Sequence, residues 1–189
     1  NEGDLGHLTA RRAHYRKDNL EAPEIIYHPG LKQYYLFTSY DPLMTTYNLR
    51  VSRSETAEGP FTDYFGKAVK DTTNNFPILT APYRFENHPG WAGTAHCGVF
   101  SDGEGNYYLA HQGRLSPQNQ LMVLHLRQLF FTPEGWPVVS PERYAGTPSR
   151  RFTEADLAGE WEIIRVQEPR YERQLEAGQI LWGEGELKE

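Results

Sequence analysis

The sequence is poor in the residues that would mark several common protein classes. It has one cysteine, Cys97, which excludes an internal disulfide framework. Bases are in deficit, with 19 Lys and Arg against 25 Asp and Glu, and the formal net charge is −6. Nucleic-acid binders normally present a basic face, so neither a nucleic acid nor a membrane surface is an expected partner. No run approaches the roughly 18 apolar residues that a membrane-crossing helix needs. The first residues, Asn1-Glu2-Gly3-Asp4, contain no basic n-region and no apolar h-region of a signal peptide.

Aromatics and turn formers are abundant instead. Tyr, Phe and Trp number 12, 9 and 4, and Gly and Pro add 17 and 13. An aromatic-rich, turn-rich chain with few Ala or Leu runs is expected to be all-β. The same rings suit either strands or a carbohydrate surface, where sugar C–H faces stack on them.

An internal repeat organises the first part of the chain. Glu24-Ile25-Ile26-Tyr27 reads as a strand, His28-Pro29-Gly30 as its turn and Tyr34 to Ser39 as the next strand. Asn48 to Ser52 is a third strand, and Phe61 to Tyr64 is a candidate fourth. The order returns with Cys97 to Phe100, the turn Ser101 to Gly105, and strands at Asn106 to His111, Leu121 to Leu126 and Trp136 to Val139. Tyr34-Tyr35-Leu36 aligns with Tyr107-Tyr108-Leu109 at an offset of 73; Ile26-Tyr27 with Val99-Phe100, and Leu49 and Val51 with Met122 and Leu124, share it. Tandem four-stranded meanders are the signature of a β-propeller, which closes with about four to eight blades. Two blades cannot close a ring, so the chain is expected to be part of a larger protein, with residues 1–20 the outer end of another blade.

Pro77, Pro82, Pro89, Gly90 and Gly93 keep the long linker from Lys67 to Thr94 out of a helix. Gly146 to Ser149 reads as a second linker, Thr153 to Leu157 as a capped turn of helix and Gly159 to Val166 as a strand. The expected division is therefore 1–146, the blades, and 147–189, a linker and the beginning of a C-terminal β-domain.

In a propeller the first strand of each blade lines the central channel, so residues at the mouths of those strands converge. Glu21 lies at one mouth, flanked by Leu20, Ala22 and Pro23, where partial desolvation would raise its pKa as a general acid requires. A solvated loop carboxylate is the alternative. His96 lies at the other mouth, and its small neighbours Ala95 and Cys97 leave room for an ion; it is otherwise a hydrogen-bonded structural histidine. No second His or Cys pair stands at ligand spacing, which argues against a structural zinc site. Cys97 beside His96 makes a poor nucleophile pair, because adjacent strand residues point to opposite faces. Gly103 to Asn106 is a hairpin turn rather than a phosphate loop. Arg11-Arg12 and Arg150-Arg151 read as solvated charge.

The elements Leu20-Glu21-Ala22-Pro23, Tyr47-Asn48-Leu49-Arg50-Val51-Ser52-Arg53-Ser54 and Gly135-Trp136-Pro137 together resemble glycoside hydrolase family 43, most of all its endo-1,5-α-L-arabinanases. The resemblance implies a five-bladed β-propeller and an inverting hydrolase of α-1,5-linked L-arabinan. It implies Glu21 as the acid, and two catalytic aspartates, one of them the base, in blades N-terminal to Asn1, so that these residues alone would be inactive. It implies calcium, held largely through waters, at His96, where the family's Gly-His-Asn is replaced by Ala95-His96-Cys97. It further implies an arabinan or arabino-oligosaccharide substrate, the N-terminal part of the same protein as partner, and an extracellular or periplasmic location. Asp41, Asp63 and Asp102 do not fit the base. A non-catalytic sugar-binding propeller, or a family member acting on xylan or arabinoxylan side chains, remains the alternative.

Overall fold

The computed structural model describes residues 3, 6–12, 20–71, 74–116, 120–147, 150–166, 175–183 and 186–188. Residues 1–2, 4–5 and 13–19 of the expected blade fragment over 1–20, and 148–149 of the linker at 146–149, lie outside them, and the described residues 6–12 form no strand. Among the described residues the chain is nearly all β, and its one helix is the single turn α1 (Glu154–Leu157).

The first expected blade is a four-stranded meander, β1 (Leu20–His28), β2 (Gln33–Tyr40), β3 (Asn48–Ser54) and β4 (Ile78–Thr80), paired in that order. The fourth strand is thus not Phe61 to Tyr64. That segment makes only isolated bridges, Arg53 with Thr62 and Thr62 with Ala68. Phe61 of that segment, with Val69 further along, instead packs on Leu36 and covers one face of the sheet.

The second expected blade, β7 (Gly98–Ser101), β8 (Tyr107–Leu115), β9 (Met122–Phe131) and β10 (Pro137–Val139), is not a separate four-stranded sheet but part of a seven-stranded one. The Pro- and Gly-rich linker supplies β5 (Tyr83–Arg84) and β6 (Trp91–Ala92), and β6 pairs with the upper end of β8.

The repeat holds in register, with corrections. The pair Ile25–Leu36 corresponds to Val99–Leu109, and Leu36–Ser52 to Leu109–Arg127. The offset is therefore 74 in the inner strand, 73 in the second and 75 in the third. The path from inner to second strand is one residue shorter in the second unit, where Val99 and Leu109 replace Ile25 and Leu36, and the path from second to third strand is two residues longer.

The blades pack face to face. Tyr35, Phe37, Tyr47, Leu49 and Val51 of the first meet Ala95, Cys97, Leu109, Leu129 and Trp136 of the second in one core. Tyr35 ties them together by donating its hydroxyl to the Gly135 carbonyl at 2.6 Å. The buried phenol needs that partner, since an unpaired hydroxyl in such a core would cost about 1–3 kcal/mol.

Beyond the blades, Thr153 caps α1: the Asp156 carboxylate accepts from its N–H at 2.8 Å and its hydroxyl at 2.7 Å. Then come β11 (Gly159–Ile163), β12 (Leu175–Glu176), β13 (Gly178–Gly183) and β14 (Glu186–Lys188). β11, β13 and β14 form a small antiparallel sheet, and β12 joins β5 in parallel.

Candidate active site

Glu21 stands at the start of β1, opposite Ser39 near the end of β2. Immediately after it the register slips by one residue, and Ala22 takes a left-handed φ of 50°. Such a bulge bends the strand and re-aims the neighbouring side chain. Tyr47, just before β3, donates its hydroxyl to Glu21 Oε1 at 2.6 Å. Tyr47 is fully buried; burial, followed by the bond to Glu21, pushes its phenol well above the usual value. It is therefore a fixed donor at any working pH. Glu21 is itself exposed, so the structure replaces the expected desolvation by flanking apolar residues with an anchoring bond.

His96 precedes β7 with a left-handed φ of 59°, and its side chain is exposed. Its backbone N–H donates to Ser39 Oγ at 2.9 Å. Ser39 thus connects both residues singled out in the sequence: it faces Glu21 across the sheet and holds His96 across the blade interface. Cys97, next in the chain, is buried, and burial together with the Glu24 carboxylate pushes its thiol up to about 12. A thiol so protonated is no nucleophile at neutral pH.

The aspartates are occupied elsewhere. Asp41 accepts from Arg12 at 2.5 Å and from the Asn48 amide at 2.6 Å. Asp63 accepts from the N–H groups of Phe65 and Lys67, both at 2.9 Å. Asp102 closes the β7–β8 turn, where the Asn106 side chain first, then the Glu104 N–H, holds its carboxyl below the usual range.

Calcium takes six to eight oxygen ligands. Among the described residues no group of three or more His, Cys, Asp or Glu could hold a metal ion. The lone imidazole of His96 does not make a calcium site by itself.

The sequence motif also hides a scaffold. Fully buried Arg50 donates Nε to Asn48 Oδ1 at 2.9 Å and Nη1 to the Asn75 carbonyl at 3.1 Å, with its guanidinium 4.3 Å from the Tyr40 ring centre. These bonds fix the start of β3 and, through it, Tyr47. The contact of Tyr47 with Glu21 was not read from the sequence, although Tyr47 opens the Tyr-Asn-x-Arg element.

No protein-family profile matches the chain. It is 29% identical over 166 residues to the extracellular endo-α-(1→5)-L-arabinanase 2 of Bacillus subtilis, a match covering 77% of this chain and 35% of that protein. A crystal structure of a glycoside hydrolase family 43 protein from Bacillus licheniformis superposes with a TM-score of 0.79 at 29% identity, covering 86% of this chain and 40% of that one. The endo-1,5-α-L-arabinanase of Thermotoga petrophila shares the fold with a TM-score of 0.84 at 24% identity, covering 91% of this chain and 42% of that one. The class of fold is thereby defined: the chain shares its nearly all-β architecture with part of these glycoside hydrolases. More particularly, the chain is similar to a glycoside hydrolase family 43 protein and to extracellular arabinanases. It spans well under half the length of the relatives it matches.

Proposed function

We propose that this chain is the acid-bearing part of an inverting glycosidase that cleaves α-1,5-linked L-arabinan. The observation that carries the reading is the Glu21 carboxyl, exposed at an inner-strand mouth and held by the buried Tyr47 hydroxyl at 2.6 Å. Glu21 gives its proton to the leaving glycosidic oxygen. An aspartate outside the described residues takes a proton from water on the opposite face of the sugar, across a gap of roughly 6.5–9.5 Å. Similarity to an extracellular endo-arabinanase supports both the substrate and a secreted location. In this reading the two blades are consecutive members of a five-bladed ring, and residues 147–189 begin a C-terminal β-domain. His96 lends one ligand to a calcium ion otherwise held by water and by the rest of the protein, and no catalytic step is assigned to that ion.

The test is Glu21→Gln in the full-length protein. Turnover on arabinan should fall by about 10²–10⁴-fold with the fold intact. Aryl arabinosides, whose leaving groups need no protonation, should lose far less. Equal losses on both substrates would reject Glu21 as the acid.

A further inference from the structure

At the end of the blades opposite Glu21 lies a second site that the proposed reaction does not use. A cleft of ≈ 570 Å³ opens between the β1–β2 turn, the end of β3 and the β9–β10 turn. Its polar lining includes Gln33, Arg53, Ser54, Glu55, Thr56 and Glu134. That volume lies in the usual range for ligand clefts, roughly 300–1,000 Å³. At about 3.3 Å per residue along β1, the cleft is roughly 20 Å from Glu21.

The cleft is built on a fixed guanidinium. Arg53 donates Nη1 to the Glu134 carbonyl at 2.6 Å and lies with Cζ 4.4 Å from the Trp136 ring centre. The ring series continues outward: Trp136 to Tyr64 at 5.5 Å, Tyr64 to Phe65 at 5.5 Å and 88°. Tyr64 and Phe65 are 57% and 65% exposed, although they adjoin a well-packed core. Their turn is rigid, because buried Asp63 accepts from the N–H groups of Phe65 and Lys67 and Tyr64 N–H donates to the Phe76 carbonyl at 2.7 Å. Two neighbouring aromatics are thus held in solvent by a turn whose polar core is directed inward.

We infer that the cleft and the Tyr64–Phe65 ledge form a second carbohydrate-binding site for a neutral polysaccharide chain. Planar amide, carboxylate and guanidinium groups match vicinal hydroxyls, and exposed rings stack on sugar C–H faces. Glu55 and Glu134 outnumber the single cation Arg53 in the cleft, so an anionic chain is disfavoured. The inference rests on the proposed function in taking the occupant to be the arabinan that Glu21 acts upon. A polymer held at both ends of the blades raises the local concentration of chain at the channel.

The test uses the full-length protein and two variants, Phe65→Ala and Glu55→Ala/Phe65→Ala, each checked for unchanged melting. Binding is read by electrophoretic retardation in gels containing debranched arabinan, in a Glu21→Gln background so that the polymer survives. Retardation should weaken by about five- to tenfold, the weight of one or two stacked rings. With Glu21 present, KM on polymer should rise by a similar factor, while kcat and the hydrolysis of arabinotriose stay unchanged. Undiminished retardation and KM in both variants would overturn the second site while leaving the proposed function standing. A parent that hydrolyses no arabinan but is retarded by it, with retardation lost in the variants, would keep the site and overturn the proposed function. Retardation of the parent by acidic polygalacturonate equal to that by arabinan would overturn the assignment to a neutral chain.

Discussion

Tyr47 and Glu21 are joined by a 2.6 Å bond in which a fully buried phenol anchors an exposed carboxylate. The donor belongs to β3's leading edge and the acceptor to β1, so the bond spans β2 and fixes the carboxylate against two strands rather than one. Tyr47→Phe keeps the ring in the core and removes only this anchor. Turnover on arabinan should fall by about tenfold through misplacement of the acid, since a shift near 1 Å can cost up to about 100-fold. Stability should change by about 1 kcal/mol or less, because Glu21 faces water. Unchanged turnover would show that the bond does not position the acid.

Ser39 performs the corresponding task for His96. It accepts the His96 N–H at 2.9 Å while being fully buried, and His96 holds a left-handed backbone. Ser39→Ala leaves that N–H without its partner and should destabilise the full-length protein by about 1–3 kcal/mol. His96→Ala should lower activity and melting temperature together, and a chelator should reproduce both losses in the parent but not in His96→Ala. Equal chelator effects on both would place the ion elsewhere.

A pH dependence of stability follows from His111 and His125, which face each other on β8 and β9 with ring centres 5.0 Å apart and exposures of 1% and 0%. Burial first, then the Arg127 charge, lowers both imidazoles, His125 to about 4 and His111 well below its usual value. The folded state therefore keeps them neutral where the unfolded state, near 6.5, takes up protons. Their contribution is complete above about pH 6.5 and is lost progressively as pH falls toward 4. Melting temperature should decline over pH 6.5 to 5, above the usual carboxylate range, and His125→Asn should flatten that slope. Identical slopes in parent and variant would remove His125 as a cause.

Much of this architecture was legible because strand pairing leaves a periodic trace. The Tyr34-Tyr35-Leu36 and Tyr107-Tyr108-Leu109 segments each lie in the second strand of an antiparallel meander, as their spacing implied. The fourth strand of the first blade was not legible. Phe61 has the composition of a strand residue, yet Ile78–Thr80, which arrives after a long excursion, takes the edge beside Leu49 and Arg50. Sequence adjacency favoured the nearer apolar segment, whereas pairing is decided by which segment returns alongside β3. In the candidate site, Glu21 and His96 were singled out in the sequence from their places at strand mouths. Tyr47 and Ser39 were missed, because the bonds they make cross strands and blades that spacing alone does not bring together.

The outer faces of the two blades give the last prediction. On the first blade Ile25 and Tyr27 are each 47% exposed, and on the second Phe100, Leu124, Phe130 and Val138 are 48, 75, 43 and 45% exposed. Apolar patches on this scale mark surfaces that another element covers, and open sheets without their neighbours invite aggregation. In the proposed ring, further blades cover these faces. The 189 residues expressed alone should therefore aggregate, and co-expression with the remaining blades should render them soluble. Leu124→Glu should weaken that rescue, because it buries a charge where the neighbouring blade must pack. A 189-residue species that is monomeric, melts cooperatively and is indifferent to Leu124→Glu would show that these faces have no covering blade.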